Sequence, residues 1–460
     1  MSLSAHSSTS TSAAKARILE KHDNDVVIVC AIRTAITKAK KGGFKDTHPE
    51  LLLSHVLRAV YTKPGLDPAL IEDISVGTVL QAGGGAGPAR MAALHAGIPQ
   101  EASLNTVNRQ CSSGLSSVNQ IANEIIAGQI DIGIGAGVES MTMGYGPAGV
   151  PSSYSEQVLT NPLAEECLLP MGFTSENVAA DFNVSRADQD AFAALSFQRA
   201  SAASKAGKFA AEILPVKAKV TDPKTEQTTE VLVDHDDGIR EGVTAESLAK
   251  LKPAFSKTGS THAGNASQVS DGAAAVLLAR RSVAKRLGLP ILGKFVQAAV
   301  VGVPPRIMGV GPAYAIPKVR HHSPCTVPRV PESVLVPFEL TLGPFTQVLE
   351  KTGLSKSDID FYEINEAFAS QALYSVRALD LPMDKVNVHG GAIAMGHPLG
   401  CSEYPPFSLS VASAYAYSTA GARQIATGLN IARQYGQRVF VTSMCIGSGM
   451  GMAAVFVSEQ

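Results

Sequence analysis

The sequence predicts an α/β protein with largely parallel sheets covered on both faces, on three observations. Short apolar runs alternate with glycine turns and with helical patterns of about 10 to 15 residues, as in successive βαβ units. Of the 460 residues, 45% are apolar and 41 are glycine, and tryptophan is absent, which favours an interior of small, tightly packed residues. A weak internal echo, in which residues 72–79 match 357–364 and residues 272–277 match 451–456, indicates two copies of one α/β unit.

The strands and the first helix of the middle region follow from local patterns. Buried strands are predicted at residues 25–30, 74–80, 130–136, 274–278, 358–364, 439–443 and 453–457. Ser185 and Asp188 have capping-box spacing ahead of an apolar periodic stretch, which predicts that a helix begins there. The surrounding region is richer in polar and irregular sequence than its flanks, which indicates an inserted loop domain.

At about 150 residues per domain, the length corresponds to roughly three structural units. Residues 1–24 are rich in Ser, Thr and Ala and contain no apolar run long enough for a secretory signal, which predicts an unstructured tail. The chain is therefore divided into the tail, an N-terminal half, the loop domain and a C-terminal half, at residues 1–24, 25–145 plus 271–292, 146–270, and 293–460.

Charge and composition exclude several classes of protein. Thirty-nine basic and 40 acidic residues leave a net charge of −1, so the overall charge favours neither nucleic acid nor an anionic membrane. The longest apolar stretches, residues 272–279 and 298–303, are much shorter than the roughly 20 residues of a membrane-spanning helix, which predicts a soluble protein. The cysteines lie far apart without metal-site or CxxC spacing, which predicts neither a metal site nor a disulfide framework: Cys30, Cys111, Cys167, Cys325, Cys401 and Cys445.

Cys111 is the first candidate nucleophile. It lies in the motif Asn-Arg-Gln-Cys-Ser-Ser-Gly-Leu at residues 108–115, ahead of an apolar periodic stretch. A strand, a sharp turn and a helix start would place its sulfur at a helix N-terminus, where unpaired N–H groups favour a thiolate and can bind an oxyanion. On the motif alone, a small buried thiol in a tight turn fits equally well.

Three further residues have side chains suited to chemistry. His397 lies in the glycine-rich stretch 390–400 and precedes proline, so its backbone is restricted, and a neutral imidazole there can accept a thiol proton. Asn365 follows a predicted strand, at the carboxyl end where open α/β sheets usually build sites. Cys445 ends another strand in a glycine-rich turn, where a second thiol can act as an acid or a base.

Two of these three, His397 and Asn365, also have a structural interpretation. The histidine can serve only to shape its turn, and the asparagine can serve as a turn cap. The glycine clusters at residues 83–87 and 133–137 lack the spacing of a dinucleotide or P-loop fingerprint, which disfavours nucleotide-dependent redox chemistry.

Taken together and in this order, the four motifs resemble the thiolase family, specifically its degradative 3-ketoacyl-CoA thiolases of peroxisomal type. The resemblance covers roughly residues 25–318, 348–401 and 421–457, and includes the double serine after Cys111. Residues 170–172, 174–178 and 264–271 also resemble that subgroup. The resemblance implies two similar halves stacked into five α-β-α-β-α layers, an inserted loop domain and a homodimer.

The resemblance also implies roles for the site residues. Cys111 would attack the 3-keto carbon of a 3-ketoacyl-CoA while His397 takes its proton, and Cys445 would protonate the acetyl-CoA enolate and then activate the CoA thiol. His397 and a water held by Asn365 would bind one oxyanion, and the N–H groups of Cys111 and Gly447 would bind the other.

The substrate contacts are implied in the same way. Ser267 matches the position that contacts the pantetheine arm in the family. Coenzyme A would be a co-substrate, and neither a permanently bound cofactor nor a metal is implied.

Two segments, residues 319–347 and 402–420, have no counterpart in the family pattern. The first contains five prolines, and the second stands where one residue would connect Cys401 to Gly421. Both can be encoded with in-frame intron ends, so we hypothesise retained introns, with genuine loop insertions as the alternative. Because the second begins shortly after His397, and a 1 Å displacement can lower catalysis about 10²-fold, impaired catalysis is one expectation.

Two other functions stay open on the sequence alone. They are a biosynthetic acetoacetyl-CoA thiolase and an impaired splice product that only binds CoA or dimerises. The resemblance implies a peroxisomal enzyme of fatty-acid β-oxidation. However, Arg17-Ile18 lacks the His-Leu expected downstream, and the C-terminal Ser-Glu-Gln is not a Ser-Lys-Leu-type address, so cytoplasm and mitochondria are alternatives.

Overall fold

The structure is a computed structural model, and it describes residues 12–144, 153–317, 348–397 and 420–460. Its strands are β1 (Val26–Thr34), β2 (Thr37–Lys38), β3 (Asp73–Gly77), β4 (Ser103–Val107), β5 (Ile132–Ser140), β6 (Ile213–Leu214), β7 (Val216–Thr221), β8 (Thr228–Val233), β9 (Ser270–Arg280), β10 (Gly293–Gly302), β11 (Phe361–Ile364), β12 (Val439–Ile446) and β13 (Met450–Ser458). Its α-helices are α1 (Ala13–Leu19), α2 (Pro49–Thr62), α3 (Ala86–His95), α4 (Ser113–Ala127), α5 (Met141–Gly144), α6 (Glu156–Leu159), α7 (Pro162–Glu166), α8 (Met171–Asp181), α9 (Arg186–Lys205), α10 (Ala245–Ala249), α11 (Arg281–Arg286), α12 (Gly311–Ala315), α13 (Val348–Thr352), α14 (Ala369–Ala378), α15 (Ala392–Met395) and α16 (Ala420–Tyr435).

The main strands form two groups that repeat one order. In the first group, β4, β3 and β5 are adjacent and parallel. Strand β9 pairs antiparallel with β5, and β1 pairs antiparallel with β9. In the second group, β11 and β12 are parallel, and β13 and then β10 follow antiparallel. A short pairing of β1 with β10, at Val27–Lys294 and Ile28–Gly293, joins the two groups. The prediction of largely parallel sheets is therefore wrong for β1, β9, β10 and β13, and the short hairpin between β12 and β13 shows why, since such a turn requires antiparallel strands.

Five layers follow from the side chains that alternate along the strands. On β13, Met452 and Phe456 face a cluster formed with α4 and α16, whereas Val455 and Val457 face a cluster formed with α12 and α13. Helices α2 and α3 cover the outer face of the first strand group. The order is therefore outer helices, first strand group, α4 with α16, second strand group, and outer helices.

All seven predicted strands are strands in the structure, with shifted ends. The echo between residues 72–79 and 357–364 reflects the matching places of β3 and β11. The structural alignment differs from the sequence echo by three residues. Glu72 N donates to Ile132 O (3.0 Å) and Asp360 N donates to Val439 O (2.8 Å), so residue 72 corresponds to residue 360 and not to residue 357. Strands β4 and β10 and the β7–β8 hairpin were not predicted.

The middle region is helical where the sequence predicts a helix start. The Ser185 side chain accepts a hydrogen bond from Asp188 N (3.1 Å) and caps α9, which confirms the capping prediction.

The prediction of an unstructured tail at residues 1–24 is wrong from Ser12 onward. Ser12 caps α1, Ile18 is buried in the outer layer beside the second strand group, and Lys15 Nζ lies 2.8 Å from an oxygen of Asp360. Helix α1 has only seven residues, so packing against the rest of the protein stabilises it more than intrinsic propensity does. Residues 1–11 lie outside the described part of the chain.

The two unmatched segments lie outside the described residues, except that α16 begins at Ala420, the last residue of the second. The first segment is flanked by α12 and α13. Leu349 N donates to Ile316 O at 3.4 Å. If residues 319–347 were absent, Leu349 would be the fourth residue after Ile316, and this contact would have the i to i−4 spacing of an α-helix.

Candidate active site

Cys111 lies on the short turn that connects β4 to α4. Gln110 has φ +50°, in the left-handed region, so the chain reverses sharply just before the cysteine. Two side chains of the motif hold this turn: Asn108 Oδ1 accepts from Gln110 N (3.0 Å), and Ser113 Oγ donates to Gln110 O (2.7 Å). The polar residues around the cysteine therefore build the turn itself.

The Cys111 thiol is buried and protonated at neutral pH. Burial raises its pKa to about 12, although the backbone N–H groups of Gly447 and Cys111 act in the opposite direction. Removal of water by burial therefore outweighs the N–H groups that favour a thiolate. Those two N–H groups nevertheless lie at the sulfur, as the predicted oxyanion site requires.

Cys445 lies near the end of β12, just before the turn that contains Gly447. Its sulfur is buried and lies 3.5 Å from Gln371 Oε1 on α14. Burial raises the pKa of Cys445 well above its ordinary value, and the Cys111 sulfur raises it further. The two thiols are therefore close enough for the charge of one to affect the ionisation of the other.

His397 and Asn365 lie side by side, with Asn365 Nδ2 3.3 Å from His397 Nε2. Asn365 directly follows β11, and its N–H donates to Ser443 O on β12 (2.8 Å). Burial, assisted by the charge of Arg423, lowers the pKa of His397 to about 3. At neutral pH the imidazole is therefore neutral and can accept a proton.

Backbone contacts fix the turn that carries His397. Its N–H donates to Gln268 O (3.1 Å), and Gln268 Nε2 donates to Ala394 O (3.2 Å) at the end of α15. Gly396 has φ +104°, and a Cβ at this position would overlap the side chain of Ser270. The glycine before the histidine is thus required by its backbone conformation.

Ser267 lies beside this machinery and is buried. Its N–H donates to Ala367 O (3.0 Å), and Ala266 pairs with Phe368 in an isolated bridge. Ala266, Phe368 and Cys445 belong to one apolar cluster. The serine therefore lies on a strand-like segment next to the second thiol.

The structure thus links Cys111 with Cys445 and Gly447, and His397 with Asn365; β12 connects the two sets through Ser443. Sequence reasoning missed Gln371, since a lone glutamine in a helical pattern gives no signal. It also missed Glu366, whose Oε2 accepts from Ser196 Oγ (2.6 Å) and which supports the turn at Gly391.

Other kinds of site have little support in the part of the chain that the structure describes. No group of three or more His, Cys, Asp or Glu side chains there is placed to hold a metal ion. No helix in the same residues is long and apolar enough to cross a membrane. The described cysteines are free thiols: Cys30, Cys111, Cys167 and Cys445.

Comparison with known proteins gives the family. The model of the thiolase N-terminal domain matches residues 26–282 and that of the C-terminal domain matches residues 326–404. The second match begins inside the segment 319–347 and ends inside the segment 402–420. The peroxisomal 3-ketoacyl-CoA thiolase of Yarrowia lipolytica is 52% identical over 442 residues, which cover 96% of this chain and 95% of the relative.

Solved structures agree. The dimeric peroxisomal thiolase of Saccharomyces cerevisiae matches with a TM-score of 0.79 and 47% identity, over 96% of this chain and 100% of that chain. A second structure of the yeast enzyme, described as five-layered with two core domains of identical topology, matches with a TM-score of 0.70 and 42% identity over the same shares. The acetyl-CoA acetyltransferase of Bacillus anthracis matches with a TM-score of 0.74 and 31% identity, over 94% of this chain and 98% of that chain. The chain belongs to the thiolase family.

Proposed function

We propose that this chain is a 3-ketoacyl-CoA thiolase, which uses CoA to cleave a 3-ketoacyl-CoA into acetyl-CoA and a shortened acyl-CoA. The observation that carries the proposal is the pair of buried thiols, Cys111 and Cys445, with the Gly447 N–H at the first sulfur. Two thiols and a neutral imidazole are the groups that a two-step acyl transfer through a cysteine needs.

In the first step, the Cys111 sulfur attacks the 3-keto carbon and its proton passes to His397. A neutral thiol and a neutral imidazole are the favoured resting state, so the proton leaves as the carbon–sulfur bond forms. The bond between C2 and C3 then breaks, the acyl group stays on Cys111, and the acetyl-CoA enolate takes a proton from Cys445. The Asn365 amide beside His397 suits a role at the oxyanion of this step.

In the second step, CoA completes the exchange. Cys445 takes the proton of the CoA thiol, and the CoA sulfur attacks the thioester on Cys111. The N–H groups of Cys111 and Gly447 stabilise the oxyanion, acyl-CoA leaves, and Cys111 regains its proton from His397. Coenzyme A is thus a co-substrate near Ser267, and the scheme needs no permanently bound cofactor.

The similarity to relatives favours a degradative, peroxisomal enzyme. Identity is 42% to 52% with the peroxisomal thiolases named above and 31% with the bacterial acetyl-CoA acetyltransferase, so the biosynthetic alternative has less support. We assign the chain to fatty-acid β-oxidation in the peroxisome and infer a homodimer, as the name of the yeast structure states for that protein. The division into residues 25–145 plus 271–292, 146–270 and 293–460 is part of the proposal.

The test is to trap the acyl-enzyme. Purified full-length protein is incubated with 3-ketoacyl-CoAs of graded chain length, without CoA, and peptides are analysed by mass spectrometry. We expect the acyl group on Cys111, its loss on addition of CoA, and no adduct in Cys111→Ala. Activity confined to acetoacetyl-CoA would indicate the biosynthetic alternative. Absence of any adduct from a folded protein that still binds CoA would indicate the impaired splice product.

A further inference from the structure

The first turn of α16 touches several elements of the site. A Cβ at Gly421 would overlap the backbone and side chain of Leu115 in α4, the helix that follows Cys111, so α16 and α4 approach closely here. Three residues later, Gln424 is fully buried. Its side chain reaches β11 and β12.

Gln424 joins the two strands by its amide. Nε2 donates to Glu363 O on β11 (3.0 Å) and lies 3.4 Å from Ser443 O on β12. Both neighbours are carbonyl oxygens, which can only accept, so the donor end of the amide must face them. The amide therefore bridges two adjacent parallel strands, one residue before the end of β11 and three residues before the end of β12.

The two carbonyls belong to the residues that position the proposed chemistry. Glu363 lies two residues before Asn365, and Ser443 lies two residues before Cys445. Ser443 O also accepts from Asn365 N (2.8 Å), so one oxygen receives both the last ladder bond and the Gln424 bond. A change in the spacing of the strand ends would therefore move Asn365 relative to Cys445.

We propose that Gln424 is a positioning residue, whose amide holds β11 and β12 together two residues before Asn365 and Cys445 and so fixes these two residues relative to each other. We call the two hydrogen bonds from Gln424 Nε2 to Glu363 O and Ser443 O the clamp. Its effect on catalysis rests on the proposed function, whereas the clamp itself is a property of the fold. The two hydrogen bonds of the Gln424 amide go to backbone carbonyls and not to the side chains of Asn365 or Cys445.

The first test is Gln424→Met, which keeps the length of the side chain and removes its N–H donors. We expect kcat for thiolysis to fall about 10- to 100-fold, because a displacement of about 1 Å can lower catalysis about 10²-fold. KM for the ketoacyl-CoA should change little. The matched control is Gln434→Met on the same helix, which removes hydrogen bonds to Lys208 O (2.8 Å) and to Asn430 Oδ1 (3.0 Å), ten residues further from the site.

A second measurement does not depend on turnover. Alkylation of each thiol by iodoacetamide is followed by mass spectrometry, with Cys30 on β1 as the internal reference, since it is also buried and its pKa is raised to about 11. Loss of the clamp should raise the rate of alkylation of Cys445 relative to that of Cys30 about 3- to 10-fold. This is the change expected when local opening of the structure around Cys445 breaks one hydrogen bond fewer.

A third variant tests rescue. In Gln424→Glu, only the protonated carboxyl can donate to the two carbonyls. We therefore expect its kcat relative to Gln424→Met to rise as the pH falls from 9 to 6.

The outcomes separate the two proposals. If Gln424→Met matches Gln434→Met in both kcat and alkylation ratio, the clamp is wrong. If the wild-type protein does not cleave any ketoacyl-CoA, the proposed function is wrong, and the alkylation ratio alone decides whether the clamp exists.

Discussion

The two halves of the molecule repeat one strand order, but the residues at matching strand ends differ in kind. Glu72 and Asp360 each lie just before a strand and donate a backbone hydrogen bond to the neighbouring strand, so they mark equivalent positions in the two halves. In this alignment, the pair of Val76 with Ala136 corresponds to the pair of Ile364 with Ser443. By that alignment, the N-terminal half has Gly77 where the C-terminal half has Asn365. It likewise has Val138 where the C-terminal half has Cys445.

The difference has a packing reason. A Cβ at Gly77 would lie 2.5 Å from the carbonyl carbon of Ser113. The end of β3 must therefore lack a side chain for the turn that carries Cys111 to pack against it. In the C-terminal half, the corresponding strand ends carry the amide and the second thiol. The repeated scaffold thus brings a nucleophile from one half against polar groups from the other.

The largest effect is expected when the C-terminal half is made like the N-terminal half. Asn365→Gly removes the amide that lies 3.3 Å from His397 Nε2. Loss of one oxyanion donor costs about 10²- to 10³-fold in kcat. Steady-state kinetics with a 3-ketoacyl-CoA measures the loss, and circular dichroism checks the fold. A kcat equal to that of the wild type would remove Asn365 from the mechanism.

The converse change adds a side chain to the N-terminal half. Gly77→Ala should displace the turn that carries Cys111, lower kcat about 10²-fold and destabilise the protein by about 1–3 kcal/mol, because the added methyl group overlaps backbone atoms. Kinetics and thermal unfolding measure the two effects.

The matched control for that change is Gly302→Ala. A Cβ at Gly302 has no atom within 4 Å, so this variant should retain activity and stability. Equal behaviour of the two variants would contradict the packing explanation.

Local patterns predicted the features that depend on local physics. The apolar runs predicted seven of the strands, and the motif predicted the sharp turn before a helix where Cys111 lies. The state of its thiol could not be predicted in this way, because burial is set by β12 and α16, which are far away in the chain. For the same reason Gln424 gave no signal, since its two acceptors are backbone carbonyls brought together only by the fold.

A smaller effect is expected from the buried carboxyl before Asn365. Burial raises the pKa of Glu363 to about 8, against the opposing charge of Arg423, whose Nη1 lies 3.8 Å from Glu363 Oε2. The other charged groups that act on it are Glu366, Glu212 and Arg199. The folded chain therefore binds this proton more tightly than the unfolded chain, where the pKa is near 4.5. The resulting stability is complete below about pH 4.5 and is lost as the pH rises through about 8.

Glu363→Gln cannot lose a proton, so its Tm relative to the wild type should rise between pH 5 and about pH 8 and level off above it. Thermal unfolding at each pH measures the difference. Glu230→Gln, on the exposed strand β8, is the control and should show no such trend. A constant difference for Glu363→Gln across this range would show that the carboxyl does not titrate there.

The smallest effect is expected from deletion of residues 319–347. The bond from Leu349 N to Ile316 O would then have helical spacing, so α13 should begin at Pro317, since proline is tolerated in the first turn of a helix but not in its interior. Because the deletion adds helical bonds and closes a loop, Tm should stay the same or rise. Thermal unfolding and the helical signal in circular dichroism test this. A matched deletion one residue longer, residues 319–348, removes buried Val348 and makes Leu349 the third residue after Ile316. This control should be less stable; equal stability of the two deletions would mean that the 3.4 Å contact does not mark a helix interrupted at this point.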